Sequence, residues 1–390
     1  MSPRKVLSQL HWIVGITAGI VLAVVGATGA LLSFEQQIVA ALAGEGREVA
    51  AAGRTPLSAE ELLTRVSAEQ QDKRIVGLNI SREPATTIRV TFAPREQRYV
   101  DPYTGALLAP TAGGAEAFFR NVRGLHRWLM LGELGDRDIG RQIVGACTLL
   151  LLFMVSTGLY LRWPRGPAAR RLKTWLLPDF RLEGRAFLWN LHSILGTWVL
   201  PVYLVIALTG LQWSYEWYRN GLYTIAGVER PAGPEGGREG RGPGAPTERG
   251  GSKLDVAAFT RTWQTFVRET GDRFASVNVN LAARPGKPTE FRYLEEHPRH
   301  ERAFNTLTVD GEGNVVKAER YADKPLAAQL VSSIFPLHSG SYFGPAGVIV
   351  FLLASLAMPV FAVTGWIMYL QRRAPRARRA ALAAATEEAS

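Results

Sequence analysis

The chain has 390 residues, with 45 Lys and Arg against 34 Asp and Glu for a formal net charge of +11; at about 100 to 200 residues per domain it holds two to four folding units. A single cysteine, Cys147, excludes an internal disulfide framework and any Cys-clustered zinc or iron–sulfur centre, and leaves six histidines as the scarce chemical resource. The mean hydropathy of +0.01 averages charged stretches with long runs that carry no Asp, Glu, Lys or Arg, so it conceals a membrane protein.

Residues 2–10 carry Arg4 and Lys5 and lead into the first uncharged run, His11 to Phe34. A hydrocarbon core about 30 Å thick needs roughly 20 helical residues, which this run supplies. A cleaved signal peptide is the alternative, because Ala41-Leu42-Ala43 resembles a cleavage site. The run is, however, longer than the roughly 7 to 15 residues of a signal core. Leu57 to Glu69 then has helical periodicity, Ile75 to Ile80 and Thr87 to Phe92 alternate as strands, and Arg98-Tyr99-Val100-Asp101-Pro102-Tyr103-Thr104-Gly105 reads as strand and turn. Leu125-His126 precedes the second run, Gln142 to Leu161. After a loop containing Arg162, Arg165, Arg170, Arg171, Lys173, Arg181 and Arg185 comes the third, Ala186 to Tyr215. Pro231 to Gly251, rich in Gly, Pro and charge, is predicted to be a disordered linker. A helix over Val256 to Glu269, strands near Ala275 to Leu281 and Thr289 to Leu294, and Leu307-Thr308-Val309-Asp310-Gly311-Glu312-Gly313 repeat the earlier order. The fourth run, Ser339 to Gln371, ends in a tail with Arg372, Arg373, Arg376, Arg378 and Arg379.

The N-terminal segment, the loop after the second run and the tail together hold 14 basic residues and four acidic ones, Asp179, Glu183, Glu387 and Glu388. They carry nearly all of the net charge. The positive-inside rule makes them cytoplasmic, so both termini are expected inside. The charge then reports topology and anionic lipid headgroups, and a nucleic-acid partner loses its support.

A shift of 181 positions superimposes the first and third runs without a gap: Leu10-His11 on Leu191-His192, Gly15 on Gly196, Thr28-Gly29 on Thr209-Gly210, Ser33-Phe34-Glu35 on Ser214-Tyr215-Glu216. The second and fourth agree more loosely, each preceded by Leu-His (Leu125-His126, Leu337-His338) and each ending in Thr-Gly (Thr157-Gly158, Thr364-Gly365). The expected architecture is an α-helical integral membrane protein, a four-helix bundle from a duplicated two-helix unit, with two small outer α+β domains. Its parts are span 1–34, outer domain 35–125, a His-bearing segment with the second span 126–162, cytoplasmic loop 163–185, and span 186–215. There follow outer domain 216–337 with its linker at 231–251, a His-bearing segment with the fourth span 338–371, and tail 372–390.

The Leu-His helix, the strand ending Val100-Asp101-Pro102-Tyr103-Thr104-Gly105, then Leu125-His126-Arg127-Trp128-Leu129, Leu191-His192 with Gly196, and Leu337-His338-Ser339-Gly340 resemble the PepSY-associated transmembrane helix family. The resemblance covers nearly the whole chain except linker and tail. It implies PepSY-like periplasmic domains and an inner-membrane oxidoreductase carrying two b-type haems, which reduces Fe(III) in ferric siderophores and releases Fe(II). Some members are fused to flavodoxin and NADPH-reductase modules. This chain ends soon after its fourth run, so the expected electron donor is a separate cytoplasmic flavin-type reductase or quinol. The alternative is a non-enzymatic PepSY-domain protein that binds peptides or regulates a periplasmic partner.

On this topology His11 and His192 lie at the cytoplasmic ends of their helices, and His126 and His338 at the outer face. Two imidazoles from facing helices are a natural axial pair for haem iron. The competing readings are headgroup contacts or caps, and a proton relay. Arg127 and Trp128 stand beside the outer site, either toward a haem propionate or as an interfacial anchor. Glu35 and Glu216 mark the outer helix ends; Trp198, Trp213, Trp366 and Cys147 read as lipid or packing residues; His297 and His300 read as a solvated loop.

Overall fold

The computed structural model describes residues 2–43, 54–82, 86–93, 96–108, 114–132, 134–163, 166, 171–228, 255–281 and 287–387, with side chains as far as Arg372. The predicted linker at 231–251, and Arg165 and Arg170, lie outside the described residues. In chain order the helices are α1 (Pro3–Leu32), α2 (Glu35–Ala43), α3 (Ala59–Glu69), α4 (Gly114–Trp128), α5 (Arg137–Arg162), α6 (Leu172–Leu176) and α7 (Gly184–Ser214). They continue as α8 (Glu216–Ala226), α9 (Val256–Thr270), α10 (Leu326–Ser332), α11 (Ile334–Ser339) and α12 (Gly344–Glu387). The strands are β1 (Ile75–Ser81), β2 (Ile88–Phe92), β3 (Glu96–Val100), β4 (Ser276–Asn280), β5 (Thr289–Leu294), β6 (Asn305–Val309) and β7 (Val315–Glu319). They form two compact units.

The first unit comprises Met1–Glu35, Phe118–Gly221 and Leu337–Ser390. Its four long helices α1, α5, α7 and α12 are each long and apolar enough to cross a bilayer, and make this a membrane protein. Helix α1 packs on α5 and α12, and α7 on the same two, closing a four-membered ring. Ala18, Leu22, Cys147, Leu151, Tyr203, Ala207 and Ala354 fill the centre, with the Tyr203 hydroxyl donating to the Ala354 carbonyl at 2.8 Å. Small residues let the backbones approach. At Gly26 a Cβ would stand 2.5 Å from Met358 Cβ and 2.7 Å from the Ser355 carbonyl oxygen. Large apolar side chains such as Ile20, Leu353 and Val363 are exposed on the outside of the ring, where lipid solvates them at no cost.

The helices run past the uncharged segments that announce them. Helix α5 starts at Arg137, not Gln142, because Asp136 caps it by accepting from the Ile139 N–H at 2.9 Å and Arg141 pairs with Asp138 at 2.9 Å. His126 and His338 do not open the second and fourth spans. Each lies near the C-terminal end of a separate shorter helix, α4 and α11. Helix α4 ends in an unusual turn, with Leu129 and Met130 both left-handed at φ 53° and 59°. Such conformations cost of order 1–3 kcal/mol each and persist only where surrounding contacts impose them. Here Met130 N–H returns to the Gly124 carbonyl at 3.2 Å.

The second unit, Gln36–Ala117 with Leu222–Pro336, joins the two α+β segments expected as separate domains. Their strands form one antiparallel sheet in the order β3-β2-β1-β4-β5-β6-β7. The two segments meet along β1 and β4, in a register that sets Asn79 opposite Asn278, and the Asn79 amide donates to Asn278 Oδ1 at 2.6 Å. Alternation places Ile88, Val90 and Phe92 of β2 and Leu307 and Val309 of β6 in a core shared with Leu62, Leu63 and Val66 of α3 and Phe259 and Phe266 of α9. Ser58 and Glu61 form a reciprocal capping box at the start of α3. The Asp101 carboxylate accepts from the Tyr103 N–H at 2.7 Å, and Arg65 donates to the Thr104 carbonyl at 2.9 Å. In the second segment Asp310 accepts from the N–H groups of Glu312 and Asn314, while Arg261 donates to the Gly311 carbonyl at 2.9 Å. The Val-Asp turn motif is therefore a structural clamp.

The expectation of a solvated loop at 295–300 holds for His297, which is exposed, and fails for His300, which is only 5% exposed. His300 Nδ1 accepts from the Arg302 N–H at 3.1 Å, and its Nε2 lies 2.9 Å from the Tyr321 hydroxyl and 3.0 Å from Ser333 Oγ. The polar residues that hold it are distant in sequence, so the charged local stretch gave no sign of burial.

Candidate functional site

The four histidines of the Leu-His motifs form two levels in the helical unit. At one level the His126 and His338 rings, from α4 and α11, lie with centroids 6.4 Å apart and planes at 71°. Trp213 stands edge-on to His338 at 5.1 Å. At the other level His11 of α1 and His192 of α7 lie within electrostatic reach of each other, with Phe361 edge-on to His192 at 4.9 Å.

Each ring is held by a threonine of a Thr-Gly pair. His11 Nδ1 is 2.8 Å from Thr157 Oγ1 and His192 Nδ1 is 2.8 Å from Thr364 Oγ1. His126 Nδ1 is 3.1 Å from Thr28 Oγ1 and 3.0 Å from the Val25 carbonyl oxygen. His338 Nδ1 is 3.0 Å from Thr209 Oγ1 and 3.2 Å from the Ile206 carbonyl oxygen. The glycines after three of these threonines leave room for the rings: a Cβ at Gly29, Gly158 or Gly210 would stand 3.2, 3.4 or 3.3 Å from Cε1 of His126, His11 or His338. Within its four uncharged runs the sequence displays four Thr-Gly pairs against four Leu-His pairs in the chain, yet as repeat markers only. Their equal number is the signal that would have paired them.

A carbonyl oxygen can only accept, so His126 and His338 carry the proton on Nδ1 and leave Nε2 with its lone pair. Among the described residues neither Nε2 has a hydrogen-bond partner. Two metal–imidazole bonds of about 2 Å, plus about 1.1 Å from each Nε2 to its ring centre, set opposed axial imidazoles about 6.2 Å apart between centroids. The observed 6.4 Å fits that span. Among the described residues no cluster of three or more His, Cys, Asp or Glu is set to hold a bare metal ion. Donors in twos suit an iron whose other four ligands come with a macrocycle. At the His11 and His192 level the indole N–H of Trp12, next to His11, is buried without a hydrogen-bond partner among the described residues, a donor open to a bound group.

His11 and Thr28 are 17 residues apart on α1, as are His192 and Thr209 on α7, so at 1.5 Å per residue the levels are separated by about 25 Å. Buried Tyr203, edge-on to Phe361 at 6.1 Å, stands between them on α7. A groove of about 410 Å³ at the N-terminal end of α1 is lined by Arg4, Lys5, Ser8, Trp189 and Arg372, among others. Ser8 and Trp189 each sit three residues before a histidine, so it opens on the same helix faces as His11 and His192.

The other predicted residues take plainer places. The Trp128 ring lies between the Arg127 and Arg137 guanidinium groups, 5.1 and 5.2 Å from its centre, and packs the turn between α4 and α5. Glu35 pairs with Arg123, and Glu216 with Arg219. Trp198 donates to the Leu176 carbonyl at 3.1 Å, and Cys147 is a buried core residue.

The chain belongs to the family described as the PepSY-associated TM region, whose pattern it matches over residues 8–372. No curated protein matches the sequence.

Proposed function

We propose that this chain is a di-haem electron-transfer protein of the bacterial inner membrane, with both termini cytoplasmic, which reduces Fe(III) in a periplasmic ferric siderophore. The observation that carries the reading is the paired histidine geometry: two rings with centroids 6.4 Å apart, each with Nδ1 engaged and Nε2 available. His126 and His338 hold the outer iron, and His11 and His192 the inner one. Haem b bound at each level supplies reversible one-electron chemistry. The chain's own part is to orient the imidazoles through Thr28, Thr157, Thr209 and Thr364, to exclude water with Leu22, Leu151 and Phe361, and to keep the two levels about 25 Å apart. The Arg-rich end faces a cytoplasmic flavin-type reductase or quinol. The ferric chelate is the substrate on the opposite side of the membrane, the side to which the chain topology assigns the two PepSY-like segments of a duplicated chain. Chelators that hold Fe(II) weakly release it on reduction, which serves iron uptake.

A non-enzymatic reading, in which the outer segments bind peptides, draws on β7, an edge strand exposed at all five residues and open to strand addition. Its Lys317–Glu319 ion pair at 2.8 Å blunts that edge and counts against it. Reduced-minus-oxidised spectra with haem quantification decide between them. The expected result is two six-coordinate haems per chain, with His11→Ala and His192→Ala each removing one and the double variant no more than either. A colourless preparation after haem supplementation removes the redox reading.

A further inference from the structure

We infer that Thr28, Thr157, Thr209 and Thr364 are positioning residues that fix the histidine tautomers and tune the two iron centres unequally, the inner one depending on its threonines far more than the outer one. The inference rests on the haem reading above and deepens it.

Each threonine donates its own proton back along its helix. Thr28 Oγ1 lies 2.7 Å from the Val24 carbonyl oxygen, Thr157 Oγ1 2.8 Å from that of Phe153, and Thr364 Oγ1 2.8 Å from that of Val360. Thr209 does the same to Val205. In the proposed arrangement each hydroxyl hydrogen stays on its helix carbonyl, the oxygen faces the imidazole with lone pairs, and Nδ1 is the donor. All four rings then present Nε2 as the ligand atom. In a membrane interior, where no water corrects a misplaced tautomer, this leaves one productive orientation.

The levels differ in redundancy. At the outer level the Nδ1–H groups of His126 and His338 also reach backbone carbonyls, of Val25 at 3.0 Å and Ile206 at 3.2 Å. At the inner level, among the described residues, the threonine oxygen is the sole hydrogen-bond acceptor for Nδ1 of His11 and of His192. An acceptor on the far nitrogen makes an imidazole more basic and a better donor to the oxidised metal. Removing it weakens Fe(III) relative to Fe(II) and raises the midpoint potential. A backbone carbonyl is beyond the reach of side-chain substitution, so the outer centre keeps its acceptor when its threonine is lost.

The test uses the full haem-loaded chain in lipid nanodiscs and reads midpoint potentials by spectroelectrochemical titration, with the inner centre assigned by its disappearance in His11→Ala. Thr157→Val and Thr364→Val keep the side-chain shape and remove the hydroxyl. Each is expected to shift the inner Fe(III)/Fe(II) equilibrium toward Fe(II) by about tenfold, about 59 mV for one electron. Thr157→Ser and Thr364→Ser restore the acceptor and are expected to titrate like the unaltered protein. Thr28→Val and Thr209→Val are expected to move the outer centre by clearly less. Inner valine variants that titrate like the unaltered protein, serine variants that shift as valine does, or an outer shift as large as the inner one each overturn the inference. Haem content is measured on the same samples: His11→Ala and His126→Ala variants that each keep both haems overturn the ligand assignment beneath it instead.

Discussion

At the scale of single residues, what the sequence disclosed and what it withheld divide along locality. His11, His126, His192 and His338 stood out because each sits in a recurring Leu-His context, and the structure gathers them in twos as that repetition implies. Their threonine partners lie 98 to 172 residues away, and a pairing over such distances leaves no local trace. His300 is the converse case, a charged neighbourhood hiding a buried ring. Burial holds its pKa below the usual histidine value, with Arg299 adding to the depression and Glu301 opposing it. Because the folded-state pKa is the lowered one, the neutral ring costs nothing above the unfolded value of about 6.5. As pH falls below it the unfolded chain takes up a proton that the fold refuses, and stability drains until pH passes the folded pKa. Thermal midpoints of the unaltered chain and of His300→Gln, which cannot titrate, should therefore differ most near pH 7.5. The gap should narrow toward pH 5, and a constant gap would assign the ring no linkage.

At the scale of elements, composition located the four spans because a bilayer demands long uncharged helices, whereas the short helices escaped notice. Helix α4 carries Arg120, Arg123 and Arg127 on a partly buried amphipathic frame, and α11 has only six residues. Charge hid the first among loops and shortness the second, yet between them they supply His126 and His338. Strand pairing between the two α+β segments was equally hidden, since β1 and β4 each look like one strand of a small domain until the Asn79 and Asn278 register joins them. Packing between spans was legible only as glycine content. Gly26 is where α1 approaches α12 most tightly of the contacts at its glycines, and an added methyl would overlap both a side-chain carbon and a backbone oxygen. Only a shift of the helices relieves a clash with backbone. Gly26→Ala is expected to lower the stability of the bundle by about 1 to 3 kcal/mol, the usual cost of overpacking. Gly365→Ala, with nothing within 4 Å of the added carbon, serves as the control. Thermal unfolding of both variants in the same detergent checks this, and equal midpoints would show that the helices yield freely.

At the scale of the whole molecule, the consequence is direction. Two histidine levels about 25 Å apart along α1 and α7 cannot share one iron, so the ends of the bundle have separable roles. In the proposed orientation, with the 14 basic residues of the N-terminus, loop and tail inside, the His11 and His192 level lies on the cytoplasmic side. In sealed vesicles of known orientation, His126→Ala and His338→Ala should leave the inner centre reducible from the cytoplasmic face while abolishing reduction of a ferric siderophore on the periplasmic face. His11→Ala and His192→Ala should block entry from the cytoplasmic face, yet an artificial reductant added on the periplasmic side should still reach the chelate through the outer centre. The two classes fail at opposite ends of one path, a pattern that general misfolding does not produce, because misfolding removes both activities together. Chelate reduction at the unaltered rate in His126→Ala would break the path at its outer step and return these histidines to a structural role.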